Sequence, residues 1–524
     1  MAFASMSSQK GACQGRAAAV RFNAPRRFGA IGAIGVIGVI GRFGAACVMF
    51  VASACTTLGP DYHASPPNVP AQWHDAHRAF DTRAGGDVAQ LRDWWHSFGD
   101  PMLDRLVATA LANNHDLAIA QARLVQARAE RARVAADLGP TISAGGTAQA
   151  LRSSKRLDWP PGIGQSRTWQ LGFDASWELD VFGGTRRAVE SADAGVEAIA
   201  FDREAVRVSL LAELAADYAS LRTAQARQVI AQENIRTLYE GERLAERAFA
   251  QGLGTSAEVA QARAERELAQ AQPPRLQAEV ERLSHAIGVL TGEFPSAWRD
   301  VLAAPSPALP VTPTLPLSLP SEVIRHRPDV RAAERRLASA TAGIGVAEAA
   351  RFPHFSIPVS LGTTASLIHD LFSGASLAWS VALIGGQTLY DGGRAGAGVT
   401  AAQADAEAAR LAYERDVRLA LRDVEDALTG LHSEREQQAA LRAAVDDSQQ
   451  AVERTTRLYQ RGLSGYLPVL IAQRAANRAR DALALSRGAE VLSAIALYKA
   501  LGAGWSDGSQ TDSSHSAEVG GRDG

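Results

Sequence analysis

The 524-residue chain has three cysteines, Cys13, Cys47 and Cys55, and none beyond position 55. No intrachain disulfide can staple the body, and a cysteine-ligated metal site is excluded there. Aromatic residues are scarce at 6%, whereas alanine is abundant. A large dry core draws on more Phe, Tyr and Trp; an Ala-rich chain suits long, closely packed helices. Charge of one sign is also missing, since 54 Lys+Arg against 56 Asp+Glu leave a net −2. That excludes the basic excess of a nucleic-acid binder. With 46% hydrophobic and 21% charged residues the chain is not intrinsically disordered. No nucleophile elbow, HExxH, P-loop or CxxC occurs, and the histidines are scattered without metal spacing. Acid pairs such as Asp423 with Glu425 and Asp426, or Asp446 with Asp447, lie on helical stretches beside arginines and read as solvated faces. No catalytic residue, cofactor-binding residue or metal ligand is therefore expected, and no enzyme.

What is present begins with an export signal. Lys10, Arg16, Arg21, Arg26 and Arg27 precede an apolar stretch without any acid, and Arg42 interrupts it before a transmembrane helix of ~20 residues can form. The run Phe43 to Ala54 then has the length of a signal-peptide core. Glycines 29, 32, 35, 38 and 41 recur every third residue. They lack the preceding strand and following acid of a dinucleotide-binding loop. Ala52, Ser53 and Ala54 before Cys55 resemble a bacterial lipobox, with Ala52 where Leu is usual. Cys55 is then the lipidated first residue of the mature chain.

The body is written twice. Asn114-His115-Asp116-Leu117 returns as Arg327-Pro328-Asp329-Val330, and Pro140 as Pro353. Further on the spacing is 210: Gln251-Gly252-Leu253 matches Arg461-Gly462-Leu463, and Leu290-Thr291-Gly292 matches Ala500-Leu501-Gly502. Each half reads as helix, two strands, long helix, break, shorter helix. The long helices are expected from about Thr185 to Ala250 and from Arg394 to Arg461, each a rod of roughly 100 Å at 1.5 Å per residue. Apolar positions 417, 421, 424, 428 and 431 form a coiled-coil seam that dilutes at Arg435 and Gln438. Gly252 and Gly254, then Gly462 and Gly465, break the rods and turn the chain back. Pro273-Pro274 interrupts the first return helix.

The expected strands cover about 141–151, 168–182, 354–362 and 376–390. Trp169, Leu171, Phe173, Ala175 and Trp177 alternate with polar or small residues; so do Phe355, Ile357, Val359 and Leu361, and Leu377, Trp379, Val381 and Leu383. A half-buried sheet lying on helices is one reading. The other is lipid-facing strands, because tilted spanning strands need 9–11 residues. The intervening loops are long, and Trp169 and Trp177 are placed to sit near the two lipid interfaces. Four strands cannot close a barrel, and open edges are not tolerated in lipid. Spanning therefore requires copies of the chain to pool their strands, twelve for three copies.

Cys55-Thr56-Thr57-Leu58-Gly59-Pro60-Asp61-Tyr62, Trp94-Trp95-His96-Ser97-Phe98-Gly99-Asp100-Pro101, Trp177-Glu178-Leu179-Asp180-Val181-Phe182-Gly183, Tyr390-Asp391-Gly392-Gly393-Arg394 and Leu467-Pro468-Val469-Leu470-Ile471 together resemble the TolC-like outer-membrane factor family, in its NodT/OprM lipoprotein branch. The resemblance spans roughly 58–502. It implies a mainly helical, internally duplicated chain forming a homotrimer, with a twelve-stranded barrel in outer-membrane lipid and a long periplasmic helical barrel. It implies docking on a periplasmic adaptor and an inner-membrane pump, commonly of the resistance–nodulation–division (RND) type, and passive exit of drugs or other small molecules, with no cofactor. Relatives commonly carry an acidic residue where Ile471 stands. Here Leu467, Leu470 and Ile471 suggest an apolar gate at the periplasmic tip, with Glu258 offered by the first half; the alternative is that these residues only pack between helices. A duct for type I protein secretion is a second functional reading, and a periplasmic adaptor or structural rod a third. The expected layout is 1–54 signal peptide, 55–100 lipid-anchored segment, 101–292 first repeat, 293–320 Pro-rich linker, 321–502 second repeat and 503–524 disordered tail.

Overall fold

The computed structural model describes residues 57–64, 67, 69–74, 91–152, 154, 156, 165–304 and 320–505. Cys55, the signal segment, most of the Pro-rich stretch and the tail after 505 lie outside the described residues. The first half contains α1 (Pro101–Asn113), α2 (His115–Ala136), β1 (Thr141–Arg152), β2 (Gln165–Leu179), α3 (Gly184–Ala250), α4 (Ser256–Gln270) and α5 (Gln272–Leu290). The second contains α6 (Pro320–His326), α7 (Pro328–Ala349), β3 (His354–Ala365), β4 (Leu377–Val381), β5 (Ile384–Gly386), α8 (Arg394–Gln460) and α9 (Leu467–Ala500). Among the described residues no helix is long and apolar enough to cross a membrane.

Local chemistry sets the ends of the 67-residue rods α3 and α8. Each starts after a left-handed glycine, Gly183 (φ 78°) or Gly393 (φ 89°). Asp180 accepts from the amides of Thr185 and Arg186, and Asp391 from those of Gly393 and Ala395, so a carboxylate meets the positive end of each rod. Each rod stops in a Schellman turn: Leu253 N–H donates to Ala248 and Leu463 N–H to Leu458, around Gly252 and Gly462 with φ of 74° and 70°. Gly254 and Gly465 are not left-handed, contrary to the expectation that they help reverse the chain by positive φ; at Gly254 the lack of a side chain matters sterically, as described below. The return helix of the first half breaks at Ala271, with both prolines tolerated in the first turn of α5.

The main core lies part-way along the rods. Trp94, Phe98, Tyr218, Trp298 and Tyr498 are buried there with Leu211, Leu214, Leu428 and Leu431. Trp94 stacks on Tyr498 at 4.8 Å, and the Tyr218 hydroxyl donates to Asp100 at 2.6 Å. Two boundaries differ from expectation because aromatic anchors extend the packed structure. Trp298 and Leu302 are buried at the start of the supposed linker. Ala503 is buried, and Trp505 donates to the His326 carbonyl at 3.0 Å, so the packed body outlasts 502. Asp423, still partly exposed beside Arg422, also pairs with Arg327 at 3.3 Å, a partner distant in sequence.

Candidate membrane sheet and tip turns

The strands form one antiparallel sheet in the order β1-β2-β3-β4, with β5 also on β3. Register decides which side chains share a face. Phe173 lies opposite Leu361, Ala175 opposite Val359, Trp177 opposite Ile357 and Leu179 opposite Phe355. Trp379 lies opposite Leu361 and Val381 opposite Val359. On β1 the same face carries Ile142, Ala144, Gly146, Ala148 and Ala150, since Ile142 meets Ala175 and Ala148 meets Trp169. The predicted residues Trp169, Leu171, Phe173, Trp177, Phe355, Ile357, Val359 and Trp379 are thus gathered on one apolar face. No helix covers it fully: Phe173 is 61% exposed and Trp379 73%. The other face carries Thr147, Gln170, Asp174, Ser176, Ser356, Ser360 and Ser380. Trp169 and Trp177 stand eight residues apart, about 26 Å along the strand at ~3.3 Å per residue, or roughly 20 Å along the membrane normal at a tilt of ~40°, within the ~25 Å apolar band of membrane barrels.

The fourth strand is interrupted, which sequence reading did not foresee. Pro358 accepts from Ala382 N–H at 3.1 Å but has no N–H to return. The ladder lapses at 382–383 and resumes at Ile384 without a change of register. Where the sheet meets the helices, Phe182 stacks on Phe352 at 4.9 Å. The segment after Cys55 is held at this junction: Leu58 N–H bonds the Phe182 carbonyl. Buried Arg187 holds the Leu58 carbonyl at 2.9 Å and Asp61 at 2.6 Å.

At the opposite end of the rods the two tip turns meet through Glu258. Its carboxylate accepts from Thr255 N–H at 2.9 Å, completing a capping box on α4, and from Tyr466 N–H at 3.1 Å at the start of α9. The Tyr466 amide, then that of Thr255, hold the Glu258 carboxyl below the usual glutamate range. Gly254 leaves room for it, since a Cβ there would lie 3.2 Å from a Glu258 oxygen and 3.2 Å from the Phe249 amide nitrogen; at Gly465 a Cβ would make only an ordinary contact, 3.5 Å from Glu258. Leu470 is fully buried with Leu238, Ala245, Tyr459, Tyr466 and Val469. It therefore packs between helices within the chain. Leu467 and Ile471 are 49% and 56% exposed. Of the four residues named for a gate, these two face outward, while Glu258 is a clamp rather than a free charge.

Tyr466 was missed in the sequence. Its hydroxyl is buried without a hydrogen-bond partner, and burial pushes its pKa up to about 12. A Cβ at Gly241 would stand 2.4 Å from that oxygen, so the lone glycine in the lower half of α3 was the available signal. Beside it, nearly buried Glu242 pairs with Arg263 at 3.1 Å and Arg266 at 2.9 Å, tying α3 to α4. Arg474 holds Glu265 at 2.8 Å, tying α9 to α4. Among the described residues no cluster of three potential metal ligands occurs.

The description "Outer membrane efflux protein" matches residues 106–293 and again residues 319–503. The chain belongs to this family. The double match falls on the two halves of the repeat. The chain is 31% identical over 463 residues to the pyoverdine export outer membrane protein OpmQ of Pseudomonas putida, covering 87% of this chain and 96% of that protein. It is 30% identical over 465 residues to the antibiotic efflux pump outer membrane protein ArpC of the same species, covering 88% and 95%. Among solved structures, the outer-membrane channel OprN superposes with a TM-score of 0.80 at 37% identity, covering 86% of this chain and all of that one.

Proposed function

We propose that this protein is the outer-membrane exit duct of a tripartite efflux pump, passing drugs or other small molecules out of the cell without chemistry of its own. The observation that carries the reading is the sheet: one apolar face, with β1, β2 and β3 of spanning length and with β1 and the interrupted β4–β5 left as unpaired edges. Open edges are excluded from lipid, so three copies pool their strands into a twelve-stranded barrel, and the ~100 Å rods continue it as a periplasmic helical tube. Family membership supports an outer-membrane location. The expected partners are a periplasmic adaptor and an inner-membrane pump of the RND type.

Thr57, two residues after Cys55, lies against Gly183 at the junction of sheet and helices. Acylation of Cys55 is the expected lipid anchor. At the tip, Leu467 and Ile471 form the apolar constriction, held by the Glu258 clamp. The test is deletion in the native host with a drug-susceptibility panel, complemented by wild type. Hypersusceptibility restored by the wild-type gene supports multidrug export. An unchanged panel contradicts it.

A further inference from the structure

We propose that β4–β5 of one copy pairs with β1 of the next in a defined register, one that sets Leu389 opposite Ile142 and Leu383 opposite Ala148. The inference rests on the pooled barrel above and goes beyond it by fixing which residues meet.

The two halves of the chain are copies whose offsets are constant on either side of the hairpin loop. Before the loop the offset is 213: α2 (His115–Ala136) maps onto α7 (Pro328–Ala349), and β1 (Thr141–Arg152) onto β3 (His354–Ala365). After the loop it is 210: α3 (Gly184–Ala250) maps onto α8 (Arg394–Gln460), and the end of α5 at Leu290 onto the end of α9 at Ala500. The second loop is three residues shorter. Hydrogen bonds obey the same offsets through unlike residues. Trp177 Nε1 donates to the Leu138 carbonyl at 2.9 Å, and Gln387 Nε2 donates to the Arg351 carbonyl at 3.0 Å. Asn114 reaches the Leu290 carbonyl, and Arg327 reaches that of Ala500.

The β2·β3 joint therefore joins a first half to a second half inside one chain. A closed ring needs the reverse joint, β4–β5 to β1, between chains. Carrying the internal register across by the two offsets turns Leu179 opposite Phe355 into Leu389 opposite Ile142 of the next copy. It turns Phe173 opposite Leu361 into Leu383 opposite Ala148, and Leu171 opposite Thr363 into Val381 opposite Ala150. Two features accord with this. Face parity is kept: each transferred pair from the apolar face falls on the apolar face of both strands, which a slip of one residue would destroy. Second, Trp177, Glu178 and Leu179 pair with β3 but have no partner on β1, which starts opposite Ser176. Their equivalents, Gln387, Thr388 and Leu389, have no strand partner within the chain. Leu389 is 94% exposed and Ile142 70%. Each is the half of a pair whose other half belongs to another copy.

Every native cysteine precedes position 56, so the body is a clean background for cross-linking. Leu389→Cys with Ile142→Cys, and separately Leu383→Cys with Ala148→Cys, are oxidised in outer membranes and run on non-reducing gels. The expected result is covalent trimer in both. Leu389→Cys with Ala144→Cys reports a two-residue slip; it is expected to react about tenfold more slowly, its Cβ atoms lying ~7–8 Å apart. Single-cysteine variants control for random collision. Preferential cross-linking of the slipped pair overturns the register and leaves the pooled barrel standing. Absence of intermolecular product in all three pairs, from protein that still reaches the membrane, overturns the register, and a single-chain mass for that protein in mild detergent overturns the pooled barrel itself.

Discussion

Replacing Glu258 with alanine should release the two tip turns from one another. The carboxylate accepts one amide from its own turn and one from a turn 208 residues away. Hydrogen bonds to a charged group contribute ~1.5–3 kcal/mol each. Glu258 is partly exposed, so water recovers much of this, leaving about 1–2 kcal/mol for the local clamp. That corresponds to roughly 5–30-fold faster opening of the tip. Amide hydrogen exchange at Thr255 and Tyr466 should accelerate by that factor, while amides at the main core around Leu214 stay unchanged. Glu258→Gln keeps one acceptor oxygen and should show about half the free-energy effect. The pH dependence has a definite sign. The folded carboxyl is held below its ordinary value, so its contribution is complete above the ordinary glutamate pKa. It is lost as the pH falls through the depressed folded value. Open probability in planar bilayers should therefore rise with acid in wild type and be insensitive to that step in Glu258→Ala. Unchanged exchange at both amides in the alanine variant would refute the clamp.

Leu361→Arg places a charge in the middle of the apolar face and should cost ~2–4 kcal/mol of membrane stability, read as lost heat-stable oligomer; Ser360→Arg, on the opposite face, should be tolerated. Leu467→Ser with Ile471→Ser should raise single-channel conductance, whereas Leu470→Ser should mainly lower thermal stability, because that side chain is buried. Trp94→Ala should destabilise the main core by ~3–5 kcal/mol in denaturant titration. Gly292→Ala should fail to accumulate, since its φ is 75° and a Cβ would stand 2.2 Å from the Asn113 carbonyl oxygen.

Much of this architecture was legible because its determinants are local. The rods were expected from Thr185 to Ala250 and from Arg394 to Arg461, and each boundary falls within one residue of Gly184–Ala250 and Arg394–Gln460. Left-handed glycines set those ends and are visible one residue at a time. The strands β2 and β3 were legible from alternation. β1 was expected over about 141–151 and runs Thr141–Arg152, although its alternation is weak because its apolar-face positions are filled by Ala and Gly beside Ile142, which carry little hydropathic contrast. The break in the fourth strand depends on which neighbour the missing N–H of Pro358 faces, and only the pairing order decides that. The Glu258 clamp joins residues 208 apart, so an acid expected to serve a gate proved to be bonded to backbone. The offset between halves takes two constant values, 213 and 210, separated by one shortened loop.

The central claim is that single chains supply one third of a closed membrane barrel. Native mass spectrometry of the mature protein released from mild detergent micelles tests it most directly. Particles of three chains are expected, and a population of single folded chains would contradict the claim.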